Sequence, residues 1–226
     1  MKKNNFDPSD LPEHETKCAK SFSMLQPIIS KPTGFLIVAV SFIVLTVGVF
    51  FTADYFARKG KVGHPNFQDY QMDLFDQIGR RQTTASYLNQ PIALFFGFTY
   101  CPDVCPTTLM NLTVARDGLQ SEGIKTDELQ FIFVTVDPER DTSGQLKQYL
   151  SLFDADVVGL TGTAQNIASF LKQFGVYVKR AEQADGDYLL DHSAAVFLYR
   201  ADGSFKGTIV HNEPIDFIRE KLKSIL

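Results

Sequence analysis

Basic residues never occur in runs longer than two in this chain of 226 residues, and Arg80-Arg81 is one such pair. Lysine and arginine number 22 against 26 acidic residues, so the formal net charge is −4. Nucleic-acid binding needs a concentrated basic face that neutralises phosphates, and this chain lacks one. With 44% hydrophobic and 21% charged residues, the composition is that of a globular protein without a nucleic-acid partner.

Cysteine is scarce as well, with only three residues in the chain. Cys18 lies in the N-terminal tail without a neighbouring cysteine, and we interpret it as an unpaired thiol. Cys101 and Cys105 stand four positions apart, whereas thiol–disulfide exchange enzymes normally place their two cysteines three positions apart. The extra residue has to be explained by redox chemistry, metal binding or a structural bridge.

Charged side chains are missing altogether from residues 32 to 53. As a helix these 22 residues would extend about 33 Å at ~1.5 Å per residue, which is enough to cross a bilayer. The alternatives are a buried core helix and a cleaved signal peptide, but signal peptides have a shorter apolar region of roughly 7–15 residues that ends near small residues. We therefore predict a retained transmembrane anchor at residues 32–56.

The tail at residues 1–31 contains five lysines and four acidic residues but no arginine. Mitochondrial transit peptides are rich in arginine and poor in acids, so we interpret the tail as the cytoplasmic end of a bacterial membrane protein. Three basic residues lie near the apolar stretch on either side: Lys17, Lys20 and Lys31 before it, and Arg58, Lys59 and Lys61 after it. The positive-inside rule therefore does not orient the anchor.

The chain after the anchor divides into a connector at residues 57–90 and a domain at residues 91–226. Glycines punctuate the connector, and we expect short strands or a hairpin there. In the domain, the runs IALFFGF (92–98) and LQFIFVTV (129–136) are continuous and apolar, as in strands buried on both faces. Apolar residues at helical spacing between them predict a helix over 107–120, which completes a right-handed βαβ unit.

The rest of the domain is predicted to continue with further helices and strands, ending in a hairpin and a helix that Pro214 opens. The predicted elements are helices at 142–153, 163–174 and 215–225 and strands at 157–160, 194–200 and 204–210. This order is that of the thioredoxin-like α/β fold, a mixed central sheet with flanking helices.

Cys101 and Cys105 lie where the first core strand ends and the first helix begins. Ligands bind at the carboxyl ends of strands in open α/β sheets, and the positive end of a helix dipole favours a thiolate. On a helix, residues four apart have Cβ atoms about 5–6 Å apart, which is wider than the ~3.8 Å of a disulfide but suits two thiolates on one metal. Because Pro102 keeps the start of the segment non-helical, the same two cysteines could also form a redox-active disulfide. That alternative to the metal site remains.

Two thiolates on a metal need a further ligand, and histidine is the candidate. His14 lies in the tail, His64 in the connector and His211 at the end of a predicted strand. His192 directly precedes a buried strand, and Gly186 lets its loop move, so we predict His192 as the third ligand. This donor set suits Cu(I) and tolerates Cu(II) or Zn(II), whereas structural zinc normally has four protein ligands. With only four methionines, the chain is not a methionine-rich copper store.

Proline is absent between Pro138 and Pro214. General thiol–disulfide exchange enzymes of the thioredoxin type have a proline that faces the cysteines just before a late core strand, so this class is disfavoured. A peroxiredoxin, which the sequence CPTT at 105–108 resembles, is disfavoured by Pro102 ahead of the cysteine. A reductase that is dedicated to the cysteines of one partner remains an alternative.

Three segments in the same order resemble the Sco (SenC) copper chaperones of cytochrome c oxidase assembly: GFTYCPDVCP (97–106), VTVDPERDT (134–142) and DHSAAVFLYRADGSF (191–205). The resemblance extends over roughly residues 64 to 226. It implies a thioredoxin-like domain that is tethered to a membrane outside the cytoplasm and binds copper. Tyr100 stands where some members have histidine.

Carried over to this chain, the resemblance implies that Cys101 and Cys105 are the thiolate ligands of copper and also form a redox-active disulfide. It implies that His192 is the imidazole ligand. Asp137 would tune the site or dock the partner. The alternative for Asp137 is a strand-ending aspartate that caps the turn before Pro138.

The expected function is non-enzymatic delivery of copper, as Cu(I) and also Cu(II), to the copper A site of cytochrome c oxidase subunit II. The alternative is a thiol–disulfide reductase dedicated to the cysteines of subunit II. A thioredoxin-like reductant is expected as a second partner. We expect a single-pass protein of the bacterial inner membrane, with its tail in the cytoplasm and residues 57–226 in the periplasm.

Overall fold

The computed structural model describes residues 32–59, 64–153, 156–183 and 186–226. The chain forms two compact units, Met1–Val62 and Gly63–Leu226. The predictions that concern the tail at 1–31, including those for Cys18 and His14, lie outside the described residues.

In the described part of the first unit, helix α1 (Pro32–Lys59) takes up the charge-free stretch of the sequence. The helix continues three residues beyond the predicted end at 56, into what we expected to be the connector. Among the residues that the structure describes, no helix is both long and apolar enough to cross a membrane. The assignment of residues 32–56 as a transmembrane anchor stays a prediction.

The second unit begins with short elements, as expected for the connector. Strands β1 (Leu74–Asp76) and β2 (Arg81–Gln82) pair as an antiparallel hairpin. Single turns of 3₁₀ helix at Phe67–Asp69 and Thr84–Tyr87 lie on either side of this hairpin.

The predicted βαβ unit is confirmed. It consists of β3 (Ile92–Gly97), α2 (Val104–Ser121) and β4 (Gln130–Thr135), and the two strands are parallel neighbours. Helix α2 begins three residues earlier than predicted, so Cys105 lies in its first turn.

The remaining elements follow the predicted order with one addition, a hairpin ahead of the last two strands. They are α3 (Ser143–Leu150), β5 (Val157–Thr161), α4 (Ala164–Phe174), β6 (Val178–Glu182), β7 (Tyr188–His192), β8 (Val196–Tyr199), β9 (Phe205–Ile209) and α5 (Ile215–Lys223). Thr142 caps α3, because its hydroxyl accepts a hydrogen bond from the Gln145 backbone amide. Pro214 is the N-cap of α5, one position before the predicted one.

The main sheet has seven strands in the order β2-β1-β5-β4-β3-β8-β9. Strand β3 lies near its centre and is buried along its whole length. Alternate side chains of β3 enter the two cores: Ile92, Leu94 and Phe96 on the face covered by α4, and Ala93 and Phe95 on the face covered by α2, α3 and α5. The unit is therefore a mixed α/β sheet with helices on both faces, as predicted.

Candidate metal centre

Cys101 and Cys105 lie at the junction between β3 and α2, as predicted. Cys105 is the second residue of the helix and is fully buried, whereas Cys101 precedes the helix and is half-buried. The backbone amide of Cys105 donates to the Sγ atom of Cys101 at 3.4 Å. Both side chains are free thiols in the structure. The sulfur of Cys101 is therefore held at the positive end of α2.

The two thiols differ sharply in acidity. Hydrogen bonding from the Cys105 thiol lowers the pKa of Cys101 to about 6, with further contributions from the backbone amides of Cys105 and Asp103 and from the charge of His192. The hydrogen bond to Cys101 and burial raise the pKa of the Cys105 thiol. Cys101 is therefore the thiolate of the pair near neutral pH, and the Cys105 thiol donates a hydrogen bond to it.

Gly97, the last residue of β3, leaves room for the cysteine pair. A Cβ atom at this position would lie 2.9 Å from the Cys105 sulfur and 2.7 Å from the Phe133 ring. Real Cβ atoms do not approach other atoms so closely, so any other residue would displace Cys105 or Phe133. A glycine inside a strand often marks a close approach of this kind, and sequence reasoning missed it here.

We predict that Gly97→Ala destabilises the reduced protein by about 1–3 kcal/mol, the usual cost of adding a methyl group to a filled core. Urea unfolding of the reduced chain measures the change. Gly144→Ala is the control, because the nearest atom to its Cβ would be the Thr142 hydroxyl oxygen at 3.9 Å. Equal stability of the two variants would contradict the prediction.

Asp141 is a second residue that the sequence did not single out. Its buried carboxylate accepts hydrogen bonds from the Thr99 backbone amide at 3.0 Å and the Thr99 hydroxyl at 2.6 Å. It also accepts one from the Thr135 hydroxyl at 2.6 Å, and burial raises its pKa. Asp141 thus ties the cysteine loop (residues 98–103) to the end of β4. Its signal was present as the second aspartate of VDPERDT.

Asp137 lies at the end of β4, as predicted, and its side chain is buried. One carboxylate oxygen accepts from Arg140 Nε at 2.5 Å and the other from the Tyr188 hydroxyl at 2.9 Å. Through Tyr188 the carboxylate reaches the β6–β7 hairpin. Its proposed part in tuning the site or docking the partner stays a prediction, as does the alternative of a cap for the turn before Pro138.

His192 is the last residue of β7, where it pairs with Val178. Its ring meets the Phe98 ring edge-on at a centroid distance of 5.8 Å, and its Nδ1 lies 2.9 Å from the Ser193 carbonyl oxygen. Cys101 also contacts Phe98, because its backbone amide donates to the Phe98 carbonyl. The fold thus brings His192 to the neighbourhood of the cysteines.

The three predicted ligands do not form a closed set in this structure. Within the described part of the chain, no three His, Cys, Asp or Glu side chains form a group that could hold a metal ion. The two cysteines are in contact, whereas the His192 ring contacts Phe98 and the Ser193 carbonyl oxygen. The role of His192 therefore stays a prediction.

The other histidines of the second unit lie elsewhere. The His64 ring packs against Phe205 at 4.6 Å and lies 3.3 Å from the Tyr70 hydroxyl. His211 is exposed in the turn after β9.

The chain matches known proteins over this second unit. The family model for SCO1/SenC matches residues 63–226. The mitochondrial SCO1 homolog 1 of Arabidopsis thaliana is 33% identical over 165 residues, which are 73% of this chain and 47% of that protein. The chain thus spans about half the length of this relative.

Solved structures of Sco proteins also resemble this chain. ScoI of Bradyrhizobium japonicum with copper bound is 36% identical with a TM-score of 0.63, and the match covers 70% of this chain and 98% of that chain. BsSco, described as having a disulfide switch and as a member of the Sco family of cytochrome c oxidase assembly proteins, is 27% identical with a TM-score of 0.56. That match covers 72% of this chain and 95% of BsSco.

Proposed function

Because the chain belongs to the SCO1/SenC family, we propose that it binds copper at Cys101, Cys105 and His192 and delivers it during assembly of cytochrome c oxidase. The observation that carries this proposal is the pair of thiols held together at the N-terminus of α2. The copper seen in the Bradyrhizobium relative supports the choice of metal.

The residues present fit copper. Two cysteine sulfurs and an imidazole nitrogen form a soft donor set with few ligands, which suits Cu(I) and accommodates Cu(II). Cys101 is already acidic, so only the Cys105 proton has to leave at neutral pH for both sulfurs to bind. The Nδ1 atom of His192 is engaged with the Ser193 carbonyl oxygen, which leaves Nε2 as the ligand atom.

Completion of the site requires a movement of His192 toward the two sulfurs. The β6–β7 hairpin is a separate two-stranded sheet, so a small shift of His192 at its end breaks no hydrogen bond of the seven-stranded sheet. The cysteine loop, in contrast, is fixed to β4 through Asp141. On loading we expect His192 to close on cysteines that stay in place.

The recipient is cytochrome c oxidase subunit II, with its copper A site as the destination. The description of BsSco as an oxidase assembly protein supports the oxidase, and the family resemblance of the three motifs supports the subunit. A thioredoxin-like reductant would return an oxidised Cys101–Cys105 pair to the dithiol, because two thiols are needed before copper can bind again.

A second candidate function is reduction of the cysteines of subunit II. The acidity difference between the two thiols favours it, because an acidic, half-buried thiolate is the attacking group in disulfide exchange. Cys101 would attack the partner disulfide, and Cys105 would then displace the partner thiol from the mixed disulfide. The chain would end as the Cys101–Cys105 disulfide with the partner reduced by two electrons.

The test of the proposed function is metal analysis of the reduced protein after anaerobic loading with Cu(I). One copper per chain, retained on gel filtration, is expected. The proposal would be contradicted if the chain held no copper after the loading step, or if it retained zinc in preference to copper.

The proposed location of residues 57–226 is the periplasm, which the family resemblance of the three motifs implies. A reporter that is active only after export is expected to be active when fused after Leu226. A fusion of a reporter that works only in the cytoplasm, made at the same residue, is the control. Activity of that second fusion would reverse the assignment.

A further inference from the structure

Four side chains from four segments form a stack beside the cysteine loop. The guanidinium of Arg140 lies between the rings of Tyr100 and Tyr188, with its Cζ atom 4.6 Å and 3.6 Å from their centroids. Arg180 also lies over the Tyr188 ring, with its Cζ atom 3.6 Å from the ring centroid. We call Tyr100, Arg140, Tyr188 and Arg180 the arginine–tyrosine stack.

The stack links every segment that carries a predicted ligand. Tyr100 directly precedes Cys101 in the cysteine loop, and Tyr188 begins β7, the strand that ends at His192. Arg140 lies between them, in the turn from β4 to α3, and Arg180 is in β6. Cations over aromatic faces attract the rings electrostatically, and more strongly when they are out of water.

Hydrogen bonds hold Arg140 in this position. Its Nε donates to Asp137, and its Nη1 donates to the Asp187 carboxylate at 2.9 Å and to the Tyr188 carbonyl oxygen at 3.0 Å. The Tyr188 hydroxyl donates in turn to Asp137 at 2.9 Å. Burial and this hydrogen bond raise the pKa of Tyr188 to about 12, so the hydroxyl keeps its proton at neutral pH.

The β6–β7 hairpin needs such an attachment. Its two strands pair only with each other in the described part of the chain, and an isolated two-stranded hairpin is marginally stable in water. Val178, Leu189 and Leu190 contact the core but are only partly buried. Arg140 adds two hydrogen bonds to the residues that start β7.

We propose that Arg140 is a positioning residue for the metal site, which sets the distance of the β6–β7 hairpin, and therefore of His192, from the cysteine loop. The inference rests on the proposed function, because it concerns the third ligand of the same site. Lysine cannot replace Arg140, since an ammonium group has no planar face to stack and cannot span Asp137, Asp187 and the Tyr188 carbonyl.

The first test needs no copper. Hydrogen exchange of the metal-free, reduced full chain is compared for the natural protein, Arg140→Lys and Tyr100→Leu. Tyr100 is 49% exposed, so its replacement leaves the fold intact. In both variants the amides of β6 and β7 are expected to exchange at least about tenfold faster, with β3 and β4 unchanged. Unchanged exchange in the hairpin would overturn the inference, whatever copper does.

Two matched controls separate the stack from general effects. Tyr100→Phe keeps the ring and is expected to exchange like the natural protein. Arg219→Lys changes an arginine that also pairs with two carboxylates, those of Glu122 and Asp216, but lies on α5. Faster exchange of the hairpin in Arg219→Lys would show that loss of any such arginine loosens it, and would overturn the inference.

The second test asks whether Arg140 acts through His192. Cu(I) affinity is measured by competition for Arg140→Lys, His192→Ala and the double variant. Arg140→Lys alone is expected to weaken binding about tenfold, as is typical when an outer partner of a metal ligand is lost. In the His192→Ala background the same change is expected to have no effect.

The outcomes distinguish the two proposals. An equal loss with and without His192 would overturn the positioning role while leaving copper binding intact. Faster hairpin exchange with unchanged affinity in Arg140→Lys would also overturn it. No binding by the natural chain would instead contradict the proposed function, and the exchange measurement would still decide whether Arg140 fixes the hairpin.

Discussion

Replacement of either Cys101 or Cys105 with alanine is expected to abolish tight copper binding by the chain. Each change removes one of only two sulfur donors, and the residues that remain offer one thiolate and one imidazole. The affinity for Cu(I) should fall by more than about 100-fold, the upper end of what loss of an outer partner costs. Competition with a chelator of known Cu(I) affinity measures the loss.

The two cysteine variants are expected to fail for different reasons. In Cys101→Ala the thiolate is lost, and the buried Cys105 keeps its proton because burial still raises its pKa. In Cys105→Ala the acidic thiol keeps the backbone amides of α2 but loses the thiol that donates to it, so its pKa rises. Cys18→Ala is the control and should bind one copper. Full retention of copper by Cys101→Ala would contradict the site.

The central βαβ unit could be predicted because its signals are local. The runs that form β3 and β4 are continuous and apolar, which is what a strand buried on both faces requires. Their burial then places the cysteines at the carboxyl edge of the sheet, where ligands bind. The cysteine position follows from this local pattern, whereas the acidity of Cys101 depends first on the hydrogen bond from the Cys105 thiol.

The β6–β7 hairpin could not be predicted in the same way. Its strands are exposed or only partly buried, so they lack the apolar runs and the alternation that identify strands. What holds it is a set of contacts between residues far apart in sequence, such as Arg140 with Tyr188 and Asp187. Single-residue patterns carry no trace of such pairs.

At the site, the main difference between the sequence prediction and the structure is the residue at which α2 begins. The predicted start of α2 at 107 left both cysteines in a loop, whereas the helix starts at Val104 and places Cys105 in its first turn. Pro106 explains the shift, because proline is tolerated in the first turn of a helix, where its missing amide has no partner to lose. The spacing of four therefore joins one residue before the helix to one inside it.

His192→Ala is expected to separate copper delivery from reduction, because imidazole is a copper ligand but takes no part in thiol–disulfide exchange. The change removes one of three ligands and should weaken Cu(I) binding clearly and Cu(II) binding more, since Cu(II) depends more on nitrogen donors. The dithiol should still form and lose its disulfide, because Cys101 and Cys105 stay in contact at the end of α2. His211→Ala, at an exposed histidine, is the matched control.

In cells, the two functions predict different outcomes for the same variant. If copper delivery is the main function, cells that carry only His192→Ala lack assembled oxidase, and added copper restores part of it by raising occupancy of a weakened site. If reduction is the main function, those cells assemble oxidase almost normally, whereas Cys105→Ala cells do not, because Cys105 is needed to resolve the mixed disulfide. Oxidase activity and copper content of the membranes measure the difference. Our proposal expects the first outcome, and normal assembly in the His192→Ala cells would replace copper delivery with reduction as the function of this chain.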